Sequence, residues 1–215
     1  MSITEPDVTL TDWGLAVECS VFAWLLLRQK GTRRPVHWAL VGFFSAGALA
    51  SLLGGIAHGF FGDKNSAGYG IVWPLTLIAI GLVALAGWHI GGSLLFRSAT
   101  ARWLSLAAVV QFIVYATTVW LGARAYGVAI LNYLTAAIFL LVAFTVVYRR
   151  ERAKPALMGV AGLGLMFIAA GLQQCRVALH PAYFNHNALY HALQAIALWM
   201  LFVCARWVIA RPPMT

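Results

Sequence analysis

The sequence predicts an all-α integral membrane protein, a bundle of seven transmembrane helices that forms a single domain over residues 1–215. Three observations support this prediction. The chain is 62% hydrophobic and only 10% charged, which is too little charge for the surface of a soluble protein of this size. Seven apolar runs are long enough to cross a hydrocarbon core about 30 Å thick. Basic residues concentrate between alternate runs, as in the cytoplasmic loops of membrane proteins.

The seven predicted helices follow one another with short connections, and all but the third, which has Ser98 and Thr100, contain glycine, proline or asparagine. The segment before the first run lacks the basic residues and the small-residue cleavage site of a signal peptide, so the first run is expected to remain as a helix. No linker divides the chain, which favours one domain. The predicted spans are 11–27, 36–61, 71–96, 101–122, 128–148, 157–177 and 186–209.

The basic residues predict the orientation of the bundle. The formal net charge of +9 comes from short clusters between apolar runs, and no basic patch interleaved with aromatic residues suggests a nucleic-acid partner. One side of the membrane receives only Lys64, Arg124 and Arg176. The opposite, cytoplasmic side receives Arg28, Lys30, Arg33, Arg34, Arg97, Arg102, Arg149, Arg150, Arg152, Lys154, Arg206 and Arg211. The N-terminus is therefore predicted outside and the C-terminus in the cytoplasm, as a multi-pass protein of a bacterial inner membrane.

Most polar residues inside the predicted helices lie in one layer, near the helix ends that face away from the cytoplasm. Glu18 lies about two turns into the first helix, and His58 lies about one turn from the end of the second. Such groups are costly in hydrocarbon and by default indicate a functional site. The rest of the layer lies on the fifth, sixth and seventh helices and comprises Asn132, Gln173, Gln174, Arg176, His186, Asn187, His191 and Gln194.

Helical periodicity selects among these residues. Asn187, His191 and Gln194 share one face of the last helix. His186 lies about 140° from His191 around an ideal helix, so it can join them only if the helix starts late, with Asn185 or Asn187 as its N-cap. On the second helix, Ser51, Gly54, Gly55 and His58 form a face of small residues that ends in an imidazole. Small residues allow a neighbouring helix to approach closely.

Two or three imidazoles and a carboxylate in one cavity favour a catalytic zinc site with one coordination position open to water. A zinc ion (Zn²⁺) would lower the pKa of its bound water and enable hydrolysis at neutral pH. The predicted ligands are His58, His191 and His186, and Glu18 is either a ligand or the general base. The residues that could orient these ligands by hydrogen bonds are Asn187, Gln194, Asn132 and Ser51. The expected substrate is a lipid or lipid-like molecule, and no obligate protein partner is evident.

A family resemblance supports the same chemistry. The segment from Asn187 to Leu193, Asn-Ala-Leu-Tyr-His-Ala-Leu, resembles the final-helix motif of the alkaline ceramidases, whose superfamily of seven-helix hydrolases includes the adiponectin-type receptors. In that superfamily, His-x-x-x-His on the last helix and Ser-x-x-x-His on the second helix supply three zinc-binding histidines, and the substrates are lipid amides or related lipids. This sequence departs from the pattern, with Asn187 in place of the first histidine and Gly54 in place of the serine. It also resembles an uncharacterised group of bacterial seven-helix proteins.

Three hypotheses follow from these patterns. The first is a membrane-embedded zinc hydrolase of a lipid amide or ester. The second is a redox protein with haem between histidines, although Cys-x-x-Cys-His is absent. The third is a transporter, sensor or receptor whose polar cavity binds a ligand without chemistry. A retinal protein is excluded because Lys30, Lys64 and Lys154 all lie in predicted loops and none can form an intramembrane Schiff base.

Overall fold

The computed structural model describes residues 3–30, 35–180 and 183–211. Seven helices within these ranges are each long and apolar enough to cross a membrane, which confirms the predicted all-α architecture. We call the end of the bundle where α1 begins its N-terminal end, and the opposite end its C-terminal end. The helices are α1 (Pro6–Arg28), α2 (Pro35–Phe60), α3 (Ala67–Leu95), α4 (Ser98–Trp120), α5 (Tyr126–Glu151), α6 (Lys154–Gln174) and α7 (His186–Ala210).

Two helices begin four or five residues earlier than the hydrophobic pattern predicts, whereas the other starts differ by at most three residues. α1 starts at Pro6 rather than residue 11, because proline suits the first helical position and Asp7 provides an acidic first turn. α3 starts at Ala67 rather than residue 71, because the Ser66 hydroxyl caps it by accepting a hydrogen bond from the backbone N–H of Tyr69 at 3.2 Å. Both extensions lie at the N-terminal end of the bundle.

Six of the helices form a closed ring, and the seventh lies outside it. Around the ring the order is α1, α2, α3, α5, α6 and α7, and α7 returns to pack on α1. α4 packs against α3 on the outside of the ring. A hydrogen bond from Gln111 Nε2 to Asn132 Oδ1, 3.2 Å long, also links α4 to α5. The ring therefore encloses an interior to which α4 does not contribute.

The outer surface of the bundle is apolar. On α4 the exposed side chains include Trp103, Val110 and Val114, which are each more than half exposed. At the C-terminal end, guanidinium groups lie over aromatic rings. The guanidinium of Arg28, for example, lies 4.9 Å from the centroid of the Trp24 ring. Apolar flanks with aromatic and basic residues at the helix ends are the pattern of a membrane-embedded surface.

Aromatic packing closes the interior of the ring towards its C-terminal end. The rings of Phe22 and Phe202 stack with centroids 4.2 Å apart, which brings α1 against α7. Phe44 of α2 meets the edge of Phe22 at 5.5 Å and is 1% exposed. These three rings lie in the main hydrophobic core. We call them the aromatic floor, because the interior above them is open.

The seam between α1 and α2 depends on glycine. A Cβ at Gly55 would lie 2.5 Å from Cδ1 and Nε1 of Trp13, and a Cβ at Gly54 would lie 3.1 Å from Oδ2 of Asp12. A side chain at Gly55 would displace the Trp13 indole, and one at Gly54 would press against the Asp12 carboxyl. The small-residue face predicted on α2 therefore does bring a neighbouring helix close, and that neighbour is α1.

Candidate functional site

A cavity of about 460 Å³ occupies the ring interior above the aromatic floor. All six ring helices contribute to its lining, and none of the lining residues belongs to α4. On α2 the lining extends from His58 to Phe43, which is about 22 Å along a helix that rises about 1.5 Å per residue. At the N-terminal end the lining includes the exposed residues Gly62 and Lys64. The volume is within the usual range for small-molecule sites, about 300–1,000 Å³.

The cavity wall changes from polar to apolar with depth. Its N-terminal part carries carboxylate, imidazole, amide and phenol groups from Asp12, His58, Asn187 and Tyr190 among others. The deep part is almost entirely apolar, with Cys19, Phe43, Gly47, Val83, Leu140, Leu163, Met166 and Leu198. A molecule with a polar group at one end and an apolar body matches this gradient.

The N-cap of α7 and a hydrogen bond from that cap to α1 position His191. Asn185 caps α7, since its Oδ1 accepts from the backbone N–H groups of Asn187 at 2.8 Å and Ala188 at 3.1 Å. The backbone N–H of Asn185 itself donates to Oδ2 of Asp7 on α1 at 2.9 Å. This bond fixes the start of α7 against α1 and places His191, nearly two turns further on, beside Thr11 and Asp12.

His191 and Asp12 form the buried pair at the centre of the polar wall. Nε2 of His191 lies 3.5 Å from Oδ1 of Asp12, and the two residues are 9% and 6% exposed. Oγ1 of Thr11 lies 3.1 Å from Nδ1 of His191 and also 2.9 Å from the carbonyl oxygen of Asp7. The Thr11 hydroxyl therefore joins the first turns of α1 to His191 on α7.

The pair can keep Asp12 ionised. A neutral imidazole with its proton on Nε2 directs that N–H towards the Asp12 carboxylate and offers its Nδ1 lone pair to the Thr11 hydroxyl. Asp12 also interacts electrostatically with His58, so the pair and the second imidazole belong to one site.

A second acid–imidazole pair lies at the N-terminal end of the cavity. Nδ1 of His58 lies 3.0 Å from Oε2 of Glu5, the residue that precedes α1. This hydrogen bond is the main reason that the pKa of the Glu5 carboxyl lies below its usual range. The backbone N–H of Thr4 donates to the carbonyl oxygen of Gly59 at 3.0 Å, which holds the N-terminal segment against the end of α2.

The structure brings five of the eight predicted site residues to the cavity wall. His58, His191, Asn187, Gln194 and Ser51 line it. Asn187 and Gln194 lie on the predicted face of α7. Oδ1 of Asn187 also accepts a hydrogen bond from Nε2 of Gln173 on α6 at 3.0 Å.

The other three predicted residues do not line the cavity. Glu18 is half-buried on α1, and its Oε2 has no hydrogen-bond partner among the described residues. His186 is the first residue of α7, because the helix begins after Asn185, one of the two predicted caps. Asn132 bonds with Gln111 at the junction of α5 and α4. None of the three is therefore placed to act on a molecule in the cavity.

Sequence reasoning missed the two carboxylates that do line the cavity. The predicted first span begins at residue 11, which places Glu5 before the helix and Asp12 at its very start. The available signal was Pro6 with Asp7 after it, a typical helix start. With α1 extended to this point, Asp12 lies within the membrane-length helix and becomes a buried acid. The tyrosines of the wall, Tyr69, Tyr126, Tyr133 and Tyr190, were likewise not predicted as site residues.

The predicted zinc ligands do not form a complete set in the described parts of the chain. Nowhere in these ranges do three His, Cys, Asp or Glu side chains group together as a metal would require. Nδ1 of His191 is bonded to Thr11, and its Nε2 faces Asp12. The residues present therefore do not fit a structural or catalytic zinc ion as they stand.

Comparison with known proteins identifies a family but no activity. The chain belongs to a family of unknown function (DUF6962), which it matches over residues 8–208. No curated protein and no solved structure gives a match. The matched range includes α2 to α6 completely and all but two residues of both α1 and α7. The Asp12–His191 pair and the cavity lining from Asp12 onwards are therefore part of the shared region.

Proposed function

We propose that this protein is an integral membrane protein that binds a small amphipathic molecule in the ring cavity, as a receptor, sensor or carrier. The observation that carries the proposal is the cavity itself, a space of about 460 Å³ with a polar N-terminal part and an apolar floor. The Asp12–His191 pair supplies polar groups that are buried and pre-positioned, as a binding site requires. The aromatic floor separates this space from the C-terminal end, which favours a binding site over an open pore.

The proposed orientation places the cavity on the non-cytoplasmic side. Basic clusters at the C-terminal end of the bundle, such as Arg149 and Arg150 at the end of α5, favour a cytoplasmic position for that end. The cavity then faces the periplasm of a bacterial inner membrane. Its ligand would arrive from the periplasm or from the outer leaflet, where a lipid-like molecule can place its polar group beside Asp12 and its apolar part towards the floor.

Cysteine labelling from one side of the membrane tests the cavity and its orientation together. Ser51 lines the cavity, and its neighbour Leu52 is 45% exposed on the outer face of α2. In a Cys175→Ser background, which removes the exposed native thiol, we expect Ser51→Cys to react with trimethylammonium-ethyl methanethiosulfonate, a membrane-impermeant reagent, on spheroplasts. Leu52→Cys, at the same depth but facing lipid, should stay unmodified.

Each other outcome contradicts a defined part of the proposal. Reaction of Ser51→Cys only in inside-out vesicles would reverse the orientation. Equal labelling of Ser51→Cys and Leu52→Cys, or of neither, would show that no solvent-accessible cavity exists at this depth. The Cys175→Ser protein, which keeps the buried Cys19 and Cys204, gives the baseline.

Zinc-dependent hydrolysis of a lipid amide or ester is the second candidate. One observation favours it: an acid of α1 and imidazoles of α2 and α7, Asp12, His58 and His191, line the same cavity. Because three ligands do not converge, we expect elemental analysis of the purified protein to find far less than one zinc per chain. One zinc per chain that is lost in His191→Ala and retained in His89→Ala would support the hydrolase instead. His89 is a suitable control because its Nδ1 bonds to Leu85 of its own helix at 2.8 Å.

A further inference from the structure

The polar part of the cavity is unusually rich in aromatic side chains. Tyr69, Trp73, Tyr126, Tyr133 and Tyr190 all contribute to its lining. They come from α3, α5 and α7, so three helices supply them independently. No other part of the cavity has such a concentration of rings, because the deep wall is formed mainly by aliphatic residues and glycine.

These rings form a connected wall. Trp73 stacks on Tyr69 with centroids 5.6 Å apart and planes 15° from parallel. Its centroid lies 6.2 Å from that of Tyr126 and 6.3 Å from that of His58, which it meets at 85°. The Trp73 Nε1–H donates to the carbonyl oxygen of Arg124 at 2.8 Å, which fixes the indole in place. The side chains of Tyr126 and Tyr190 lie close to each other, so α5 and α7 meet at the same wall.

The charges of the lining favour a cation. Two carboxylates face the cavity, Glu5, which bonds to His58, and Asp12. Among the described lining residues, Lys64 at the exposed end is the only lysine or arginine. Asp12 is buried beside the aromatic wall and interacts electrostatically with both Tyr126 and Tyr190. An anion would meet the negative faces of the rings as well as these carboxylates, whereas a cation is attracted by both.

We infer that the ligand carries an organic ammonium group, which binds between the aromatic wall and Asp12, with its apolar part directed towards the aromatic floor. This inference rests on the proposed binding function and specifies its ligand class. Tyrosine and tryptophan faces attract ammonium groups through the ring quadrupole, and a nearby carboxylate adds a charge-assisted contact. The ammonium could belong to a free solute or to a lipid headgroup, since both present the same chemistry to the wall.

The test compares three molecules of the same shape and different charge. The three ligands are choline, its uncharged carbon isostere 3,3-dimethylbutan-1-ol, and the anion 3,3-dimethylbutanoate. Each is titrated into the protein in nanodiscs, and binding is followed by calorimetry. We expect choline to bind at least about 10-fold more tightly than the uncharged isostere, and the anion to bind most weakly. A short-chain phosphatidylcholine below its micellar concentration, used as a fourth ligand, decides between a lipid headgroup and a free solute according to which binds more tightly.

Substitutions at Tyr126 test the role of the ring face. Tyr126→Phe keeps the aromatic face and should keep the preference for choline, whereas Tyr126→Leu should reduce that preference by several-fold. Trp103→Leu, an exposed residue of α4 outside the ring, is the matched control and should change nothing. Equal loss in Tyr126→Phe and Tyr126→Leu would assign the effect to the hydroxyl and overturn the role of the ring face.

The failure of this inference can be distinguished from the failure of the proposed function. Equal affinity for choline and its isostere, a preference for the anion, or no binding of any of these ligands to a protein whose Ser51→Cys is labelled overturns the ammonium inference alone. Absence of labelling at Ser51→Cys overturns the proposed binding function and, with it, the inference.

Discussion

Asp12→Asn is expected to lower the affinity for choline by about 10- to 100-fold. A hydrogen bond or ion pair with a charged group contributes about 1.5–3 kcal/mol, and about 1.4 kcal/mol corresponds to a factor of ten in affinity. Asparagine has nearly the same shape as aspartate and can still bond to His191, so the cavity should keep its form. Calorimetric titration of the variant in nanodiscs, beside the unaltered protein, measures the loss.

Glu18→Gln provides the control for that substitution. It makes the same chemical change on the same helix, at a carboxylate that does not line the cavity. We expect it to bind choline with unchanged affinity. If Glu18→Gln weakens binding as much as Asp12→Asn does, the affinity depends on the overall charge of α1. The proposal that the ammonium group contacts Asp12 directly would then be wrong. If Asp12→Asn binds choline normally, the buried carboxylate does not recognise the ligand.

The choice between these two acids shows what periodicity could predict. Asp12 and Glu18 are six residues apart, which places them about 120° from each other around an α-helix. Only one of them can face the ring interior. Cys19, seven residues from Asp12, lies on nearly the same face as Asp12, and both line the cavity. A predicted first helix that began at Pro6 would have included Asp12 as a second candidate acid. Periodicity alone does not decide whether Asp12 or Glu18 faces the ring interior.

The helices themselves could be predicted because their signals are local. Length and apolarity are properties of each run, so the seven helices found between residues 6 and 210 match the predicted spans apart from their ends. The order of the helices around the ring is a property of the packed bundle, and no single run encodes it. The position of α4 outside the ring explains why Asn132, which bonds with α4, does not reach the cavity.

The histidines illustrate the same distinction at the level of the site. His58 and His191 could be predicted as site residues because an imidazole inside an apolar run needs a partner. Their partners could not be predicted, because Glu5, just before α1, and Asp12 of α1 are distant from both histidines in sequence. His186 was expected to join the site of His191 only if the last helix started late. The helix starts at His186 itself, which leaves that side chain about 140° from His191.

Gly55→Val is expected to destabilise the bundle by about 1–3 kcal/mol, the usual cost of overpacking a close contact. The first added carbon would already lie 2.5 Å from the indole of Trp13, so the indole must be displaced or α1 must move away from α2. Thermal unfolding in detergent, followed by tryptophan fluorescence, should show a lower midpoint. Gly42→Val is the matched control on the same helix, since nothing lies within 4 Å of a Cβ at Gly42. Equal midpoints for the two valine variants would show that the seam is not closely packed.

The same seam connects stability to binding, because Trp13 follows Asp12 directly in the chain. Movement of α1 that relieves the contact at Gly55 must also shift Asp12, whose Oδ2 lies against Gly54. Gly55→Val should therefore weaken choline binding at temperatures where the protein is still folded. Adding Trp13→Ala removes the group that valine meets, so the double variant should recover part of both the stability and the affinity. A double variant that is destabilised by the sum of the single effects would mean that Gly55 and Trp13 act independently, and that the position of Asp12 does not depend on their contact.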